Sequence, residues 1–327
     1  MPAPKFLRTI ACLFLWASAA GAQENSLEAG RSAFDKGDYS RAIEILKAAA
    51  AKDPSSGEAQ LFLARSYLEL HQADAAISSA EKAVAINPKS SAYHQWLGEA
   101  YGEKASHASM FSAYPLARKT QKEFETAVQL DEKNYPAAQD LVDYDCTAPG
   151  VVGGGEDKAQ PIIARLLVLD PAQGHYAAGN CKAQKKDFPA ADAEFSKALA
   201  GKPKSANIIY DMADFYLKHD QPERLILAVD AGEAAAPADP RARFYRAAVM
   251  IQRNENLPAA ETLLRDYLRL AFVKSGYPSP SQAHYQLGLL YEKQKNAGTA
   301  RAEYQTAVRL NEKNKAAQEA LKRLGNQ

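Results

Sequence analysis

Cysteine is scarce in this chain, which has three cysteines among 327 residues. No two of them form a CxxC pair, which argues against a thiolate zinc site. An excess of one charge sign is also lacking, because 40 Lys and Arg residues face 39 Asp and Glu residues. Nucleic-acid-binding proteins and proteins of anionic membrane surfaces carry a basic excess, so we predict neither kind of partner.

The N-terminal apolar run at 10–20 is well short of the roughly 20 residues that span a bilayer. Lys5 and Arg8 precede it, and a small-residue cleavage site ending at Ala22 follows it. This order is typical of a secretory signal peptide and less so of a membrane anchor. The sequence predicts a signal peptide at 1–22, cleavage after Ala22, and a periplasmic or secreted protein without a transmembrane segment.

The chain repeats itself with a period of 34 residues. The stretch YSRAIEILKAAAAKDP at 39–54 returns as ADAAISSAEKAVAINP at 73–88, and related stretches occupy 188–203 and 297–312. Small or apolar residues align at three positions of these stretches, four and then three residues apart: Ala42, Ala76, Ala191 and Ala300; Leu46, Ala80, Phe195 and Tyr304; Ala49, Ala83, Ala198 and Ala307. That spacing marks one face of an α-helix.

A second signature precedes each of these helices. A small residue is followed three positions later by a tyrosine, as in Ala64 and Tyr67, Gly98 and Tyr101, Ala213 and Tyr216, and Gly288 and Tyr291. A small side chain allows two helices to approach closely, and we expect the tyrosine to fill the space beside it. The two signatures together predict a helical hairpin.

These hairpins resemble the tetratricopeptide repeat (TPR) family, whose 34-residue unit has the same small, aromatic, alanine and proline positions. The resemblance implies an all-α solenoid, a right-handed superhelix of about eight TPR-like helical hairpins over 23–327. The segment KAAQEALKRLGNQ at its end is expected to be a capping helix. Extra residues relative to the template are predicted to form loops at 104–119, 146–157 and 271–281.

The sequence predicts no catalytic residue, no cofactor and no metal site. The glycine run 153–155 lacks the GK[ST] ending of a phosphate-binding loop, and Glu156 and Asp157 after it would repel an anion. Motifs of activated nucleophiles are missing. His94, His175 and His284 share one position of the repeat, which indicates packing. His107 lies near the first insertion, but alone it is not a ligand set.

Cys146 and Cys181 are expected toward the ends of first helices in consecutive repeats. In the TPR architecture adjacent first helices stack side by side, and an oxidising compartment permits disulfide formation. A disulfide between Cys146 and Cys181 is therefore a hypothesis of the sequence analysis.

The resemblance implies a protein or peptide partner in a concave groove lined by first helices. The positions that map to this groove are Leu27, Arg31, Phe34, Leu61, Arg65, Leu68, Tyr176, Asn180, Tyr210, Asp214, Phe244, Ile251 and Tyr285. Aromatic and single polar side chains suit an extended peptide or a partner helix, although several of them can instead pack against neighbouring helices. We therefore predict a non-enzymatic scaffold for protein interactions in a bacterial cell envelope.

A second hypothesis is a ligand-binding or carbohydrate-binding protein. In this case the insertions at 104–119 and 146–157 would form a pocket over the groove, and Phe111, Tyr114 and Tyr144 would face the ligand. A long open groove would favour a peptide or protein partner, whereas a closed pocket under the insertions would favour a small molecule.

Overall fold

The structure is a computed structural model that describes residues 26–270, 274 and 276–325. Helices are the only regular elements in this part of the chain. The chain divides into two compact units, one ending at Leu169 and the other beginning at Asp170. Each unit is a stack of helical hairpins, so the predicted all-α solenoid of TPR-like hairpins is confirmed. The predicted signal peptide lies outside the described residues.

Unit 1 contains four hairpins, each made of a first and a second helix. Its elements are α1 (described over 26–35), α2 (Tyr39–Lys52), α3 (Gly57–Glu69), α4 (Ala73–Ile86), α5 (Ser91–Ser106), α6 (Met110–Leu130), α7 (Tyr135–Thr147), a 3₁₀ turn (Gly150–Val152) and α8 (Glu156–Leu169). The first helices α3, α5 and α7 contact one another in succession, and so form one surface.

Unit 2 contains four further hairpins and a last helix. Its elements are α9 (Pro171–Gln184), α10 (Phe188–Ala200), α11 (Ala206–Lys218), α12 (Pro222–Ala235), α13 (Arg241–Arg253), α14 (Leu257–Arg269), α15 (Pro280–Lys293), α16 (Ala297–Leu310) and α17 (Lys315–Gly325). One contiguous core runs from Tyr176 to Leu324. Helix α17 buries Ala317, Ala320 and Leu324 at its end, which confirms the predicted capping helix.

Five of the hairpins close over a small residue of their first helix. A Cβ atom added to Gly288 would lie 2.3 Å from the ring of Tyr304, and one added to Gly98 would lie 2.6 Å from Phe124. Gly30 faces Leu46 and Gly179 faces Phe195 in the same way. In the second hairpin Ala64 packs with Ala80 instead. A glycine on the first helix thus makes room for a large side chain on the second.

The repeated tyrosine has a different role from the predicted one. The side chain of the second helix, not the tyrosine, fills the space over the small residue. The Tyr101 hydroxyl instead donates a hydrogen bond to Glu81 (2.7 Å), and the Tyr291 hydroxyl donates one to Glu261. Both acceptors belong to the preceding hairpin, because a tyrosine one turn further along the helix points toward that neighbour. Tyr101 and Tyr291 therefore bind successive hairpins together.

Six of the eight hairpin turns use one backbone conformation. A residue with positive φ follows the first helix at Gly37, His71, Lys186, Asp220, Asn254 and Lys295. The next amide closes the turn, as when Gln72 N–H donates to the Tyr67 carbonyl at 2.8 Å. This is the hydrogen bond of a Schellman motif, which stops a helix and reverses the chain.

The first predicted insertion is helical, which corrects the expectation of a loop at 104–119. Helix α6 has 21 residues and the other second helices have 13 or 14, so it is about 10 Å longer than they are. Helix α5 has 16 residues. Met110 and Phe111 begin α6 and are 85% and 92% exposed. The extra residues therefore lengthen a hairpin whose tip is apolar.

The second insertion folds against α6. Gln121 donates from Nε2 to the Gly153 carbonyl at 2.9 Å, and the Tyr144 hydroxyl donates to the Val152 carbonyl at 2.8 Å. Gly153 has φ +105°, a conformation that side chains disfavour. A Cβ atom on Gly154 would lie 2.1 Å from the Ala148 carbonyl oxygen. The glycine run is thus explained by close packing, as expected for a connection between paired helices.

We predict that Gly154→Ala lowers the free energy of unfolding by about 1–3 kcal/mol, because the added methyl group meets backbone that cannot rotate away. Gly150→Ala is the matched control in the same segment, since its Cβ atom would have no neighbour within 4 Å. Denaturant unfolding of both variants measures the difference. Equal stability of the two variants would contradict this packing.

The described part of the third insertion, 274 and 276–281, packs on unit 2. The Tyr267 hydroxyl donates to the Pro278 carbonyl at 2.6 Å, and the guanidinium of Arg241 stacks on the Tyr277 ring at 4.4 Å.

No helix within the described ranges has both the length and the apolar character needed to cross a membrane.

Candidate partner-binding face

The first helices of unit 1 carry an arginine enclosed by aromatic rings. The guanidinium carbon of Arg65 lies 4.5 Å from the ring centroid of Phe34, 4.8 Å from that of Phe62 and 4.7 Å from that of Trp96. The guanidinium carbon of Arg31 lies 5.2 Å from the centroid of the Phe62 ring, so Arg31 also belongs to this cluster. Three rings on successive first helices therefore hold Arg65 in one orientation.

The polar contacts of Arg65 are incomplete. Its Nε is buried and has no hydrogen-bond partner among the described residues. Burial lowers the pKa of Arg65, and the charges of Asp35 and Glu69 act in the opposite direction. An arginine remains charged at any physiological pH. An ordered cation is well suited to bind a carboxylate, because the rings have already fixed the guanidinium.

Acidic side chains occupy the next first helices. Gln95 donates from Nε2 to Asp140 Oδ2 at 2.7 Å, and Asp140 of α7 shares a hydrogen bond with Glu99 of α5. Burial raises the pKa of both carboxyl groups, and the neighbouring Glu99 charge raises that of Asp140 further. Such a pair favours the bound proton or an added cation, since two adjacent carboxylates repel each other.

These residues form one contact network along α1, α3, α5 and α7. We call the following half-exposed residues of these helices the unit 1 face: Arg31, Leu61, Arg65, Leu68, Trp96, Glu99 and Asp140. The face is basic and aromatic on α1 and α3, where the Arg31 Nη1 pairs with Glu58 at 3.0 Å, and acidic on α5 and α7. An extended ligand with opposite charges at its two ends would match this pattern.

Two family models, both described as tetratricopeptide repeat, match residues 33–100 and 251–315. The chain is a tetratricopeptide repeat protein. This confirms the family resemblance of the sequence. TPR proteins generally serve as non-enzymatic scaffolds that bind protein partners. The comparison with curated proteins found no match.

Several solved structures are similar to this TPR protein. A chain of the APC/C hetero-tetramer Cut9–Hcn1 has a TM-score of 0.51 and 13% identity, and the match covers 91% of this chain and 55% of that one. A thermophilic TPR protein of Thermus thermophilus has a TM-score of 0.47 and 19% identity, with 70% and 99% covered. A TPR protein of Parabacteroides merdae has a TM-score of 0.44 and 15% identity, with 93% and 99% covered.

Several positions predicted to line the groove lie in the cores of the units. The exposed fractions are 2% for Phe34, 8% for Tyr176, 1% for Tyr210, 1% for Phe244 and 1% for Ile251. These side chains stabilise the stack and offer almost no surface to a ligand. The half-exposed members of the predicted groove are Leu27, Arg31, Leu61, Arg65, Leu68, Asn180, Asp214 and Tyr285. Their role in partner binding remains a prediction.

Several side chains on the first helices of unit 2 make contacts within that unit. The Tyr176 hydroxyl donates to Asp211 Oδ2 at 3.0 Å, and Lys218 pairs with Asp214 at 2.5 Å. The Tyr285 ring packs on Tyr304 with their centroids 5.7 Å apart. The predicted groove residues Asp214 and Tyr285 thus have contacts within the unit, so we place the candidate site on unit 1.

The sequence analysis missed Trp96, Phe62 and Asp140. Phe62 and Trp96 stand 34 residues apart, at the same position of consecutive repeats, and this was the signal for the aromatic cluster. No comparable signal exists for Asp140, which lies 41 residues after Glu99 because the longer α5–α6 hairpin intervenes.

Three histidines of the repeat contact glutamates of their own hairpins. The Nδ1 atoms of His94, His175 and His284 lie 2.6, 2.7 and 2.6 Å from Glu123, Glu194 and Glu303, respectively. These pairs join first to second helices, so the predicted packing role is confirmed.

Another group, His71, Glu103 and His107, brings three possible metal ligands within 4.8 Å of one another.

Cys146 and Cys181 are buried, with exposed fractions of 2% and 1%. The predicted disulfide would join residues of different units, and it remains a prediction. The alternative ligand pocket also remains untested. Of its three aromatic residues, Phe111 and Tyr114 are exposed at 92% and 50%, whereas Tyr144 is hydrogen-bonded to the second insertion.

Replacing Asp140 by asparagine is expected to stabilise the protein at pH 7. The folded-state pKa of Asp140 lies well above 3.8, so stability is lost as pH rises from about 4 through that pKa. Asparagine cannot ionise, and it still accepts the hydrogen bond from Gln95. We expect a higher Tm at pH 7 and a smaller difference between pH 4 and 7 than in the wild type. Glu125→Gln, an exposed acid on α6, is the control. A lower Tm of Asp140→Asn at pH 7 would refute the assignment.

Proposed function

We propose that this TPR protein is a non-enzymatic scaffold that binds an extended peptide or a partner helix on the unit 1 face. The observation that carries the proposal is Arg65, a half-exposed charged side chain whose orientation is fixed by three rings. Enclosed arginines next to aromatic rings are typical centres of binding energy in protein interfaces. Because the site is already ordered, little conformational entropy is lost on binding.

The charge pattern defines the ligand further. A carboxylate of the ligand would pair with Arg65, and a Lys or Arg side chain of the ligand would pair with Glu99 and Asp140. The second contact would also relieve the repulsion within that carboxyl pair. A ligand with both charges gains from each end of the face, and reversing its direction would place like charges together.

A displayed library of random peptides, selected against the full chain, tests this function. We expect binders that contain an acidic residue followed or preceded by a basic one. Arg65→Ala should weaken their binding by about 2 kcal/mol or more, roughly 30-fold. Arg41→Ala, an exposed arginine of α2, is the matched control and should leave binding unchanged. Binders that are insensitive to Arg65→Ala would refute the assignment of the face.

We also propose that the scaffold acts in the cell envelope. The support is the signal-peptide pattern before Ala22, together with two buried cysteines in the remaining chain. Export would expose both thiols to an oxidising compartment.

We predict that intact-mass analysis of protein from the periplasmic fraction finds a chain beginning at Gln23. Its mass should increase by two hydrogens on reduction, because the disulfide between Cys146 and Cys181 opens. Such a bridge over this chain length stabilises by about 4 kcal/mol in the chain-entropy model. Protein confined to the cytoplasm with an intact N-terminus would contradict export, and two free thiols in exported protein would contradict the disulfide.

A further inference from the structure

We propose a binding site for a divalent transition-metal ion, with Zn²⁺ as the simplest case, at the base of the long α5–α6 hairpin. Its ligands would be His71, Glu103 and His107. This site is separate from the candidate binding of a peptide by Arg65, and it uses none of the residues of the unit 1 face.

The donor atoms are already close together. His71 Nδ1 lies 2.8 Å from Glu103 Oε1, and His107 Nε2 lies 3.4 Å from the same oxygen. In a tetrahedral zinc site with bonds of 2.0–2.1 Å, neighbouring ligand atoms are about 3.3 Å apart. Small side-chain rotations would therefore bring the three donors around one ion.

The chemistry of the donors selects the metal. Two imidazoles and one carboxylate are a ligand set of zinc, and imidazole also suits copper and nickel, whereas calcium and magnesium prefer oxygen alone. Three protein ligands leave a fourth position for water or for a side chain of a partner. The imidazoles are 78% and 71% exposed for His71 and His107, so an ion can reach them from solvent.

The backbone holds the ligands independently of any metal. Glu103 and His107 are four residues apart at the end of α5, which places them on one side of the helix. His71 occupies the left-handed position of the α3–α4 turn, where other hairpins have Gly, Lys, Asp or Asn. The turn therefore does not require histidine. Hairpins two and three meet here, so position 71 of one lies next to position 103 of the other, 32 residues further along the chain.

Nearby charges do not compete strongly with this role. Lys104 is next to Glu103 in the sequence, but its ammonium group pairs with Asp74 at 2.5 Å. That pair leaves the Glu103 carboxylate to the two imidazoles. Without a metal, an exposed pair of this kind contributes little to stability, about 0–1 kcal/mol.

Metal binding would have a structural consequence. It would join the α3–α4 turn to the end of α5, directly before the exposed tip formed by Met110 and Phe111. A tip held at its base loses motion, and a partner that binds the tip would then lose less entropy. The metal would thus order the long hairpin.

Titration of Zn²⁺ into the full chain, prepared without a polyhistidine tag and followed by calorimetry, tests the site. We expect one saturable site, and a loss of affinity of at least about 10-fold in His71→Ala and in His107→Ala. His175→Ala is the matched control, because it removes an imidazole from a similar pair with Glu194 (2.7 Å) that has no second histidine. Thermal melts verify that the variants fold.

Two further measurements make the result decisive. Electron paramagnetic resonance of bound Cu²⁺ should show two imidazole nitrogens in the wild type and one in either variant. Hydrogen exchange at 103–112 should slow when Zn²⁺ is added. The proposal is overturned if no saturable binding is found, if both variants bind as the wild type does, or if the Cu²⁺ spectrum of the wild type lacks the two nitrogens.

Discussion

Replacing Arg241 by alanine is expected to lower the free energy of unfolding of unit 2 by about 3–5 kcal/mol. Arg241 is 2% exposed, and its guanidinium binds Asp239 Oδ2 at 2.7 Å and Asn207 Oδ1 at 2.9 Å. Its carbon lies 4.6 Å from the Tyr210 ring and 4.4 Å from the Tyr277 ring. Alanine would leave the Asp239 carboxylate, whose side chain is 8% exposed, without its cation.

Hydrogen exchange of the full chain, followed in peptides from 170 to 325, measures this effect within unit 2. Arg243→Ala changes an exposed arginine two residues away on α13 and should alter stability by no more than about 0.5 kcal/mol. Arg241→Lys should be intermediate, because lysine keeps the charge but cannot form the two-pronged contact or stack flat on the rings. Equal exchange in Arg241→Ala and Arg243→Ala would show that the buried pair is not needed.

Tyr304→Ala should destabilise unit 2 by about 3–5 kcal/mol, and Gly288→Ala by about 1–3 kcal/mol. Tyr304 is fully buried, and its ring occupies the space that a Gly288 side chain would enter. The two effects should not add. Once the ring is absent, an alanine at 288 has room, so the double variant should be at least about 1 kcal/mol more stable than the sum of the single changes predicts.

Other positions of the chain provide a control for these two substitutions and an example of the small pair that the double variant would create. Gly298→Ala, in α16, adds a methyl group with no neighbour within 4 Å and should leave stability unchanged or raise it by up to about 1 kcal/mol. The second hairpin already has the small pair Ala64 and Ala80 at the corresponding positions. Additive effects of the two changes, measured by the same hydrogen-exchange experiment, would contradict the packing.

The fold could be predicted because it depends on local patterns that recur. The small residues of the first helices, the aligned alanines of the second, and the shared position of His94, His175 and His284 each repeat with the hairpin. Every repetition adds independent support for the same two-helix unit, and a unit that contacts only its neighbours needs no long-range information.

The surface could be predicted only in part, because a helix turns by about 100° for each residue. Mapping a groove from the repeat placed Arg65 correctly on a first helix and half-exposed, but it also selected Phe34 and Phe244, which point into the cores. Whether a side chain at such a position is exposed or buried depends on the side chains around it. A position that faces solvent at one repeat is covered at another when the adjoining side chain is larger.

The prediction of a loop at 104–119 was wrong for a different physical reason. Extra residues relative to a template do not state whether they extend helices or form a loop, and residues 110–119 have enough helix-forming side chains to lengthen α6. The carboxyl pair of Glu99 and Asp140 could not be predicted for the same reason, because the number of residues between the two depends on the length of the α5–α6 hairpin.

The left-handed turns also have a practical consequence. Of the six residues that follow a first helix with positive φ, Gly37 alone is a glycine, while Lys186 and Lys295 carry a Cβ atom in a conformation that costs about 1–2 kcal/mol. Glycine at either lysine would recover part of that cost. The molecule therefore contains a reserve for thermostabilisation in its hairpin turns, which can be used without changing a residue of the unit 1 face.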